Sequence, residues 1–429
     1  MSLQSQVDEQ YAILTRGAIP KGPDALEGGV ITEPELREKI ETSVKSGKPL
    51  NIYAGFDPTS DSLTVGHLPV IRRLNAAAEL GHNVTFLTGR ATVAWGGDPS
   101  GRDEAREQLS WDIINNNYKR IKNQAQKILH SGINIRDNYE WFQKIGFRGV
   151  ADLLRTFTHD QLRQAAFISG RDDRKQPYHL TEMAYPLIMA RDSLELQADV
   201  QYGGLDQLFN LGICRTHLKR HGQEPLSLIA LKMLGLKKGE KISKSDPRTY
   251  LPIDTPPERL YKAIARMDVN VIPTWLELFT DMSYDDIGQW VERINTFDTT
   301  KGVPEDLNEI KQYIASEVLS QIYPGKSQVI SKANQAFLNG NITYQHPIRQ
   351  NVTIVDLVGG AIRSDPDMVA KYGKSGEVSN SAVIRLINDG AVRISGERIQ
   401  DKNAVFNNGE LPKYLAVGKQ FHIDVSYKR

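Results

Sequence analysis

Apolar residues follow two rhythms along this chain: short dense runs of the kind that form buried strands, and a three-to-four-residue repeat of the kind that forms amphipathic helices. The first such strand ends in Pro49-Leu-Asn-Ile-Tyr53. A polar turn follows, and Leu68-Pro-Val-Ile-Arg-Arg-Leu74 with the alanine run from Ala76 then has helix character. Gly81-His-Asn breaks the chain, and Val84-Thr-Phe-Leu87 reads as the next parallel strand, so a βαβ unit is predicted. A long helix is predicted from Glu104 to about Leu129, with Leu109, Ile113, Ile114, Ile121 and Ile128 as its apolar stripe. Residues 138–178 read as helical pieces separated by Gly146, Gly149 and Gly170, and a further helix runs from Leu180 to about Leu196. Ala198 to Gln207 then repeats strand, glycine turn and helix start.

The flanks differ. With Pro20, Pro23, Gly28 and Gly29, the first thirty residues read as a loosely structured arm, and Thr32-Glu-Pro-Glu35 has the form of a capping box opening a helix to about Ser46. Beyond Asp246 the pattern changes to short helices, at Pro256–Met267, Trp275–Phe279, Tyr284–Ile294 and Glu305–Ile322. Near the end, Ser379 caps a helix closed by Asp389-Gly390, and two short strands surround Ser395-Gly396. The fold class expected is α/β, with a parallel-sheet domain, a helical region and a small α+β module.

Charge adds little to this picture as a total and more as a distribution. Fifty-three basic residues nearly cancel fifty-two acidic ones, which argues against wholesale coating of nucleic acid. From Ser379 to Arg429, however, eight basic residues face five acidic ones, and a small basic α/β module is a candidate RNA binder. Cys214 is the single cysteine, so an internal disulfide and a cysteine zinc site are excluded. No apolar run approaches the ~18 residues of a membrane span, and the start lacks the pattern of a signal peptide. No membrane association and a cytoplasmic location are the expectation.

The candidate chemistry sits where strands hand over to helices. In Tyr53-Ala-Gly-Phe-Asp-Pro-Thr-Ser-Asp-Ser-Leu-Thr-Val-Gly-His67, Gly66 allows close backbone approach, and the helix start with His67 offers a positive end to a phosphate. On spacing alone this is also an ordinary βα turn. Lys241-Ile-Ser-Lys-Ser245, beside Lys237 and Lys238, is a cationic loop or a solvated charge run. Gly97-Asp-Pro-Ser-Gly101 is a turn in a long loop, and Arg102 and Arg106 would share a face if a helix begins there, where two guanidiniums could hold a pyrophosphate. Tyr185 and Asp192, seven apart with Met189 between them, lie on one helix face, as a site or as a satisfied core pair.

Taken together, Thr64-Val-Gly-His67 and Lys241-Ile-Ser-Lys-Ser245 resemble the paired His-Ile-Gly-His and Lys-Met-Ser-Lys-Ser signatures of the class I aminoacyl-tRNA synthetases. Tyr53-x-Gly-Phe-Asp-Pro-Thr59, Gly97-Asp-Pro-Ser-Gly101, Thr181-Glu-Met-Ala-Tyr185 and Gly203-Gly-x-Asp-Gln207 occur in the order found in bacterial-type tyrosyl-tRNA synthetases, which the chain resembles from about Leu50 onward. Tryptophanyl enzymes share some of these motifs but lack the basic tail. The resemblance implies an N-terminal arm and helix at 1–48, a Rossmann-like catalytic domain at 49–248 and an α-helical anticodon-side domain at 249–345. A ribosomal-protein-S-four-like RNA-binding domain at 350–429 would complete the chain.

It also implies a chemistry: ATP and tyrosine give tyrosyl-adenylate and pyrophosphate, and the tyrosyl group passes to the 3′ end of a tRNA. Tyr53 and Asp192 would bind the phenol hydroxyl, Tyr185 and Asp98 the α-ammonium, and Gln207 would lie near the carboxylate. Asp57, Gly204 and Asp206 would position the amino-acid carbon, ribose and adenylate, with Gly55, Gly66, Gly203 and Ser243 completing the ATP site. Thr59, Thr64, His67, Arg102, Arg106, Lys241 and Lys244 would meet the phosphates. Mg²⁺ would accompany ATP as substrate, no prosthetic group or protein-held metal is expected, and a homodimer is the family expectation.

Two departures matter. Thr64 replaces the first signature histidine, as in one subgroup of bacterial tyrosyl enzymes, and Met189 stands where the family usually has a glutamine that helps hold the α-ammonium. A thioether cannot replace that carbonyl, so Gln201 or another group supplies the acceptor, or the substrate is a modified tyrosine, or tyrosine binds more weakly. An adenylate-forming paralogue with another amino acid or acceptor, and an RNA-binding or splicing cofactor on the same scaffold, are the alternatives.

Overall fold

The computed structural model describes residues 1–19, 30–31, 33–95, 108–163, 173–174, 177, 179–204, 207–240, 242, 249–297, 303–338, 341–346, 352–374, 377–394, 397–406, 411–412, 414–418 and 421–427. The chain forms two compact units, one of residues 1–255 and 264–325, the other of residues 256–263 and 326–429.

The first unit is built on β1 (Val30–Ile31), β2 (Asn51–Phe56), β3 (Asn83–Thr88), β4 (Asn134–Asp137), β5 (Val200–Gly204) and β6 (Ser227–Leu231), in the order β1-β6-β5-β2-β3-β4. β6, β5, β2, β3 and β4 are parallel and β1 is antiparallel to β6. Every residue of β6 is buried, as expected of a parallel strand covered on both faces. From β2 the chain winds outward to β3 and β4, then returns to place β5 on the other side of β2. The carboxyl ends of β2 and β5 therefore flank the switch point, where open α/β sheets take ligands.

Three expectations are corrected here. Residues Leu3–Thr15, read as part of a loose arm, form a helix whose N-cap Ser2 accepts a bond from the Ser5 N–H, with Val7 and Leu14 buried. The long helix begins at Trp111, not Glu104, because the Ser110 hydroxyl accepts from the Ile113 N–H and caps it there. Its buried stripe is Ile114, Asn117, Ile121, Ala125 and Ile128, while Ile113 is exposed. The helix from Glu33 to Ser46 matches the expectation, though Thr32 lies outside the described residues. Helices Ile272–Phe279, Tyr284–Thr296 and Glu305–Ile322 form within the same compact unit as the sheet. The buried Trp275 donates its indole N–H to the Gly235 carbonyl at 2.9 Å.

The second unit carries β7 (Asn341–His346), β8 (Val352–Thr353), β9 (Val392–Ile394), β10 (Glu397–Ile399), β11 (Val405–Phe406), β12 (Tyr414–Val417) and β13 (Phe421–Tyr427). Five of them form a sheet in the order β10-β9-β12-β13-β7, antiparallel except for the β13–β7 pair, and β8 pairs with β11. Leu357, Val358, Ala361 and Ile362 of the helix Ile354–Arg363 pack with Val383, Ile387, Leu415, Val417 and Ile423 as its core. The predicted helix Asn380–Asn388 is capped by Ser379 and ends at Gly390, whose φ of +63° suits glycine. No helix among the described residues is long and apolar enough to cross a membrane.

Candidate active site

Strand β2 carries the polar groups of the site at both of its ends. Tyr53 stands near its middle, only 2% exposed, opposite Gln201 of β5 in the parallel register. Its hydroxyl lies 2.6 Å from Ser193 Oγ, and Ser193 in turn donates to the Met189 carbonyl at 3.1 Å. Burial holds the Tyr53 hydroxyl well above its ordinary pKa, with the Cys214 thiol and Asp192 adding to the effect.

Asp192 sits beside Ser193 on the helix Leu180–Glu195 and is 4% exposed. Trp141 Nε1 donates to its Oδ1 at 2.9 Å and Asn138 Nδ2 to its Oδ2 at 3.2 Å. Asn138 is itself fixed, donating to Thr92 Oγ1 at 2.7 Å and accepting the Ala91 N–H at 2.9 Å. These bonds stabilise a carboxylate, but burial outweighs them, and with the charges of Asp57 and Asp137 it raises the Asp192 pKa well above the carboxylate range. Tyr185 is buried on the same helix, and Met189 packs partly buried against the same apolar core. Gln201 is buried within the fold, and its Oε1 has no hydrogen-bond donor among the described residues.

At the carboxyl end of β2 the chain turns through Asp57, Pro58 and Thr59 to the helical turn Val65–His67. Asn117, the polar member of the long helix's buried stripe, donates to the Pro58 carbonyl at 3.1 Å and so ties the turn down. Gly89, just past β3, is small for a reason: a Cβ there would overlap Asp57 Oδ1. The Thr64 backbone N–H donates to His67 Nδ1 at 2.8 Å, and Thr64 Oγ1 is 3.0 Å from the same nitrogen. An accepting Nδ1 places the proton of the neutral imidazole on Nε2. The His67 ring lies 5.9 Å from that of Phe56.

The two signature stretches meet in space. A Cβ on Gly66 would lie 3.7 Å from Ile242 Cγ2, the Val65 N–H donates to the Leu251 carbonyl at 2.9 Å, and the Ile253 N–H donates to the Leu63 carbonyl at 2.9 Å. Gly203 and Gly204 end β5, and Gln207 Oε1 accepts from Asn210 Nδ2 at 2.8 Å. Asp98, Arg102, Arg106, Asp206, Lys241, Ser243 and Lys244 lie outside the described residues. The arrangement thus offers a deep polar end beside β2 and β5 and a glycine-bearing helix start at the mouth, suited to a ring-bearing ligand below and a phosphate above.

The family of class I tRNA synthetases (W and Y) matches residues 45–338 of the chain. The chain belongs to that family. This class I synthetase is 31% identical over 406 residues to the tyrosine–tRNA ligase of Carboxydothermus hydrogenoformans, covering 93% of this chain and 95% of the relative. It is also 31% identical over 403 residues to that of Geobacter sulfurreducens, covering 92% and 94% respectively. Among solved structures, it is similar in fold to a C-terminally truncated mitochondrial tyrosyl-tRNA synthetase of Aspergillus nidulans, with TM-score 0.59, 22% identity, and 79% of this chain and 98% of that one covered. A tyrosyl-tRNA synthetase of Archaeoglobus fulgidus complexed with L-tyrosine has TM-score 0.55 at 21% identity, with 74% and 99% covered.

The motifs of this synthetase pointed to Tyr53, Asp192 and the Thr64–His67 turn. They did not point to Ser193, Asn138, Trp141 or Asn117, whose roles depend on bonds between residues far apart in sequence.

Proposed function

We infer that this protein is a tyrosine–tRNA ligase. It activates tyrosine with ATP and transfers the tyrosyl group to tRNA. The observation that carries the reading is the pairing of two ends on one strand: a buried hydroxyl and carboxylate, Tyr53 and Asp192, below the Thr64–His67 helix start against which Ile242 packs.

On this reading the tyrosine ring lies between β2 and β5 with its hydroxyl toward Tyr53 and Asp192, and Tyr185 and Asp98 take the α-ammonium. Gln207 lies near the carboxylate, while Asp57, Gly204 and Asp206 position the carbon, ribose and adenylate, with Gly55, Gly66, Gly203 and Ser243 beside ATP. The tyrosine carboxylate attacks the α-phosphorus and pyrophosphate leaves. Such a step needs alignment and charge stabilisation more than a protein nucleophile. Thr59, Thr64, His67, Arg102, Arg106, Lys241 and Lys244 serve the phosphates, and Mg²⁺ arrives with ATP as part of the substrate. The terminal hydroxyl of tRNA then attacks the tyrosyl carbonyl, releasing AMP.

The second unit, with its small mixed sheet and locally basic sequence, is read as a ribosomal-protein-S-four-like domain that binds tRNA. A homodimer belongs to the same reading. Phe147, 92% exposed, and Leu154 lie seven apart on one face of the helix Gly146–Leu154 and are apolar surface that a second copy would cover.

The test is amino-acid-dependent pyrophosphate exchange over tyrosine, phenylalanine, tryptophan and ring-substituted tyrosines, followed by charging of tRNA. Exchange with tyrosine and formation of tyrosyl-tRNA are expected. No exchange with any amino acid would replace this reading by an RNA-binding one.

A further inference from the structure

The hydrogen-bond inventory at the ring end of the pocket has one sign. Ser193 carries a single hydroxyl proton, which goes to the Met189 carbonyl, so the 2.6 Å contact with Tyr53 is satisfied when Tyr53 donates. The opposite arrangement, with Ser193 donating to Tyr53, would leave the Met189 bond unmade. The Tyr53 oxygen is therefore turned toward the pocket as an acceptor.

Its neighbours agree. Asn138 uses one amide hydrogen on Thr92 and the other on Asp192, and Trp141 uses its N–H on Asp192. The Cys214 thiol donates to the Asn210 carbonyl at 3.3 Å. Across the strand pair from Tyr53, the buried Gln201 presents an Oε1 that accepts nothing from the described residues. Trp95, packed against the same core, keeps an indole N–H unused among the described residues and makes no bond to Tyr53 or Asp192. The groups bonded around the ring end have donated their hydrogens, and acceptors remain.

A phenol has one hydrogen to give. Placed between Tyr53 and Asp192 it satisfies one of them, and its oxygen faces the lone pairs of the other. A neutral aniline has two N–H donors and can give one to each. Resting on the assignment of Tyr53 and Asp192 to the ring end, we propose that Ser193 is a specificity-determining positioning residue. By holding Tyr53 as an acceptor, it adapts the pocket to a para-amino ring, that is, to a 4-aminophenylalanine class of amino acid as a substrate alongside tyrosine.

Ser193 acts through Tyr53 and need not touch the substrate. Removing its hydroxyl frees the Tyr53 proton to donate to a phenol oxygen while the phenol donates to Asp192, so the preference moves toward tyrosine. A loss of packing alone would lower both substrates together.

The experiment measures kcat/KM for pyrophosphate exchange by the full chain at saturating ATP, with L-tyrosine, 4-amino-L-phenylalanine and L-phenylalanine. For the wild type, 4-aminophenylalanine is expected within about tenfold of tyrosine, and phenylalanine at least about a hundredfold below both. Ser193→Ala is expected to shift the tyrosine-to-aminophenylalanine ratio toward tyrosine by about tenfold, through KM rather than kcat. An unchanged ratio in folded Ser193→Ala overturns the proposal. Should that variant not fold, the wild-type ratio decides, and discrimination against the amine beyond about a thousandfold overturns it as well. Tyr53→Phe separates the two levels of inference. If it alters neither substrate, the assignment of the ring end itself is wrong; if it alters both while Ser193→Ala leaves the ratio fixed, only the role of Ser193 is.

Discussion

The two ends of β2 hold their polar groups differently. At the ring end, Tyr53 and Asp192 are buried, and each is anchored by side chains from other elements, Ser193 for the first and Asn138 with Trp141 for the second. At the mouth, Thr64 and His67 bond chiefly to each other within one turn, and the turn is held from outside by backbone bonds to Leu251 and Ile253. A deep, multiply anchored end resists adjustment and penalises a ligand whose hydrogen bonds do not match. A locally built turn sets the position of backbone N–H groups, with much less dependence on any one side chain. Selectivity should therefore concentrate at the first, and rate at the second.

The strongest way to break that contrast is Asp192→Ala, which removes an acceptor and leaves Asn138 and Trp141 unanswered. It should lower kcat/KM for tyrosine by about a hundredfold or more while the KM for ATP stays within about twofold. Equal losses for both substrates, read from steady-state pyrophosphate exchange, would remove the distinction. His67→Gln should do the reverse, lowering kcat by about tenfold to a hundredfold with the tyrosine KM nearly unchanged. A raised tyrosine KM would instead place His67 with the ring end. Gly89→Ala tests the junction between them, since the new methyl group would overlap the Asp57 carboxylate and must displace it. We expect about a tenfold loss in activation with a destabilisation of about 1–3 kcal/mol, checked by exchange kinetics and denaturant unfolding.

The smallest effect concerns acid. Burial, with the neighbouring His221, Arg191 and Arg220, depresses the His217 pKa to about 4. Between that value and the ordinary 6.5, the unfolded chain binds a proton that the folded chain does not, so stability falls as pH is lowered through this window. Chemical denaturation at pH 7 and pH 5 should differ by about 1–2 kcal/mol more in the wild type than in His217→Gln. An equal difference in both proteins would assign the acid sensitivity elsewhere.

Much of this was legible in the sequence because it is local. The run from Asn51 to Glu79 has a strand, a polar turn and an apolar helix face in succession, and the structure forms them at Asn51–Phe56 and Leu68–Glu79. The signature stretches implied that distant residues converge, and Ile242 beside Gly66 bears this out. The first helix is hard to see in the sequence because it is rich in glutamine and serine and buries only Val7 and Leu14, too sparse a pattern to declare a face. Asn117 interrupts an apolar stripe and has no periodic signal, since its value lies in a carbonyl fifty-nine residues away. Likewise, nothing near Ser193 in the sequence tells of a hydroxyl one hundred and forty residues upstream.

That first helix has a further consequence for handling the protein. The Tyr202 hydroxyl donates to the Leu14 carbonyl at 2.7 Å, and the buried Arg73 guanidinium donates to the Ile13 carbonyl at 2.6 Å. Trimming the leading fifteen residues as a dispensable tag site would strip acceptors from one strand of the central sheet and from the helix beside it, leaving a phenol and a cation stranded in the interior. The outermost segment of the polypeptide works as a clasp on its innermost layer, so a purification tag belongs ahead of Met1 and not in place of the helix Leu3–Thr15.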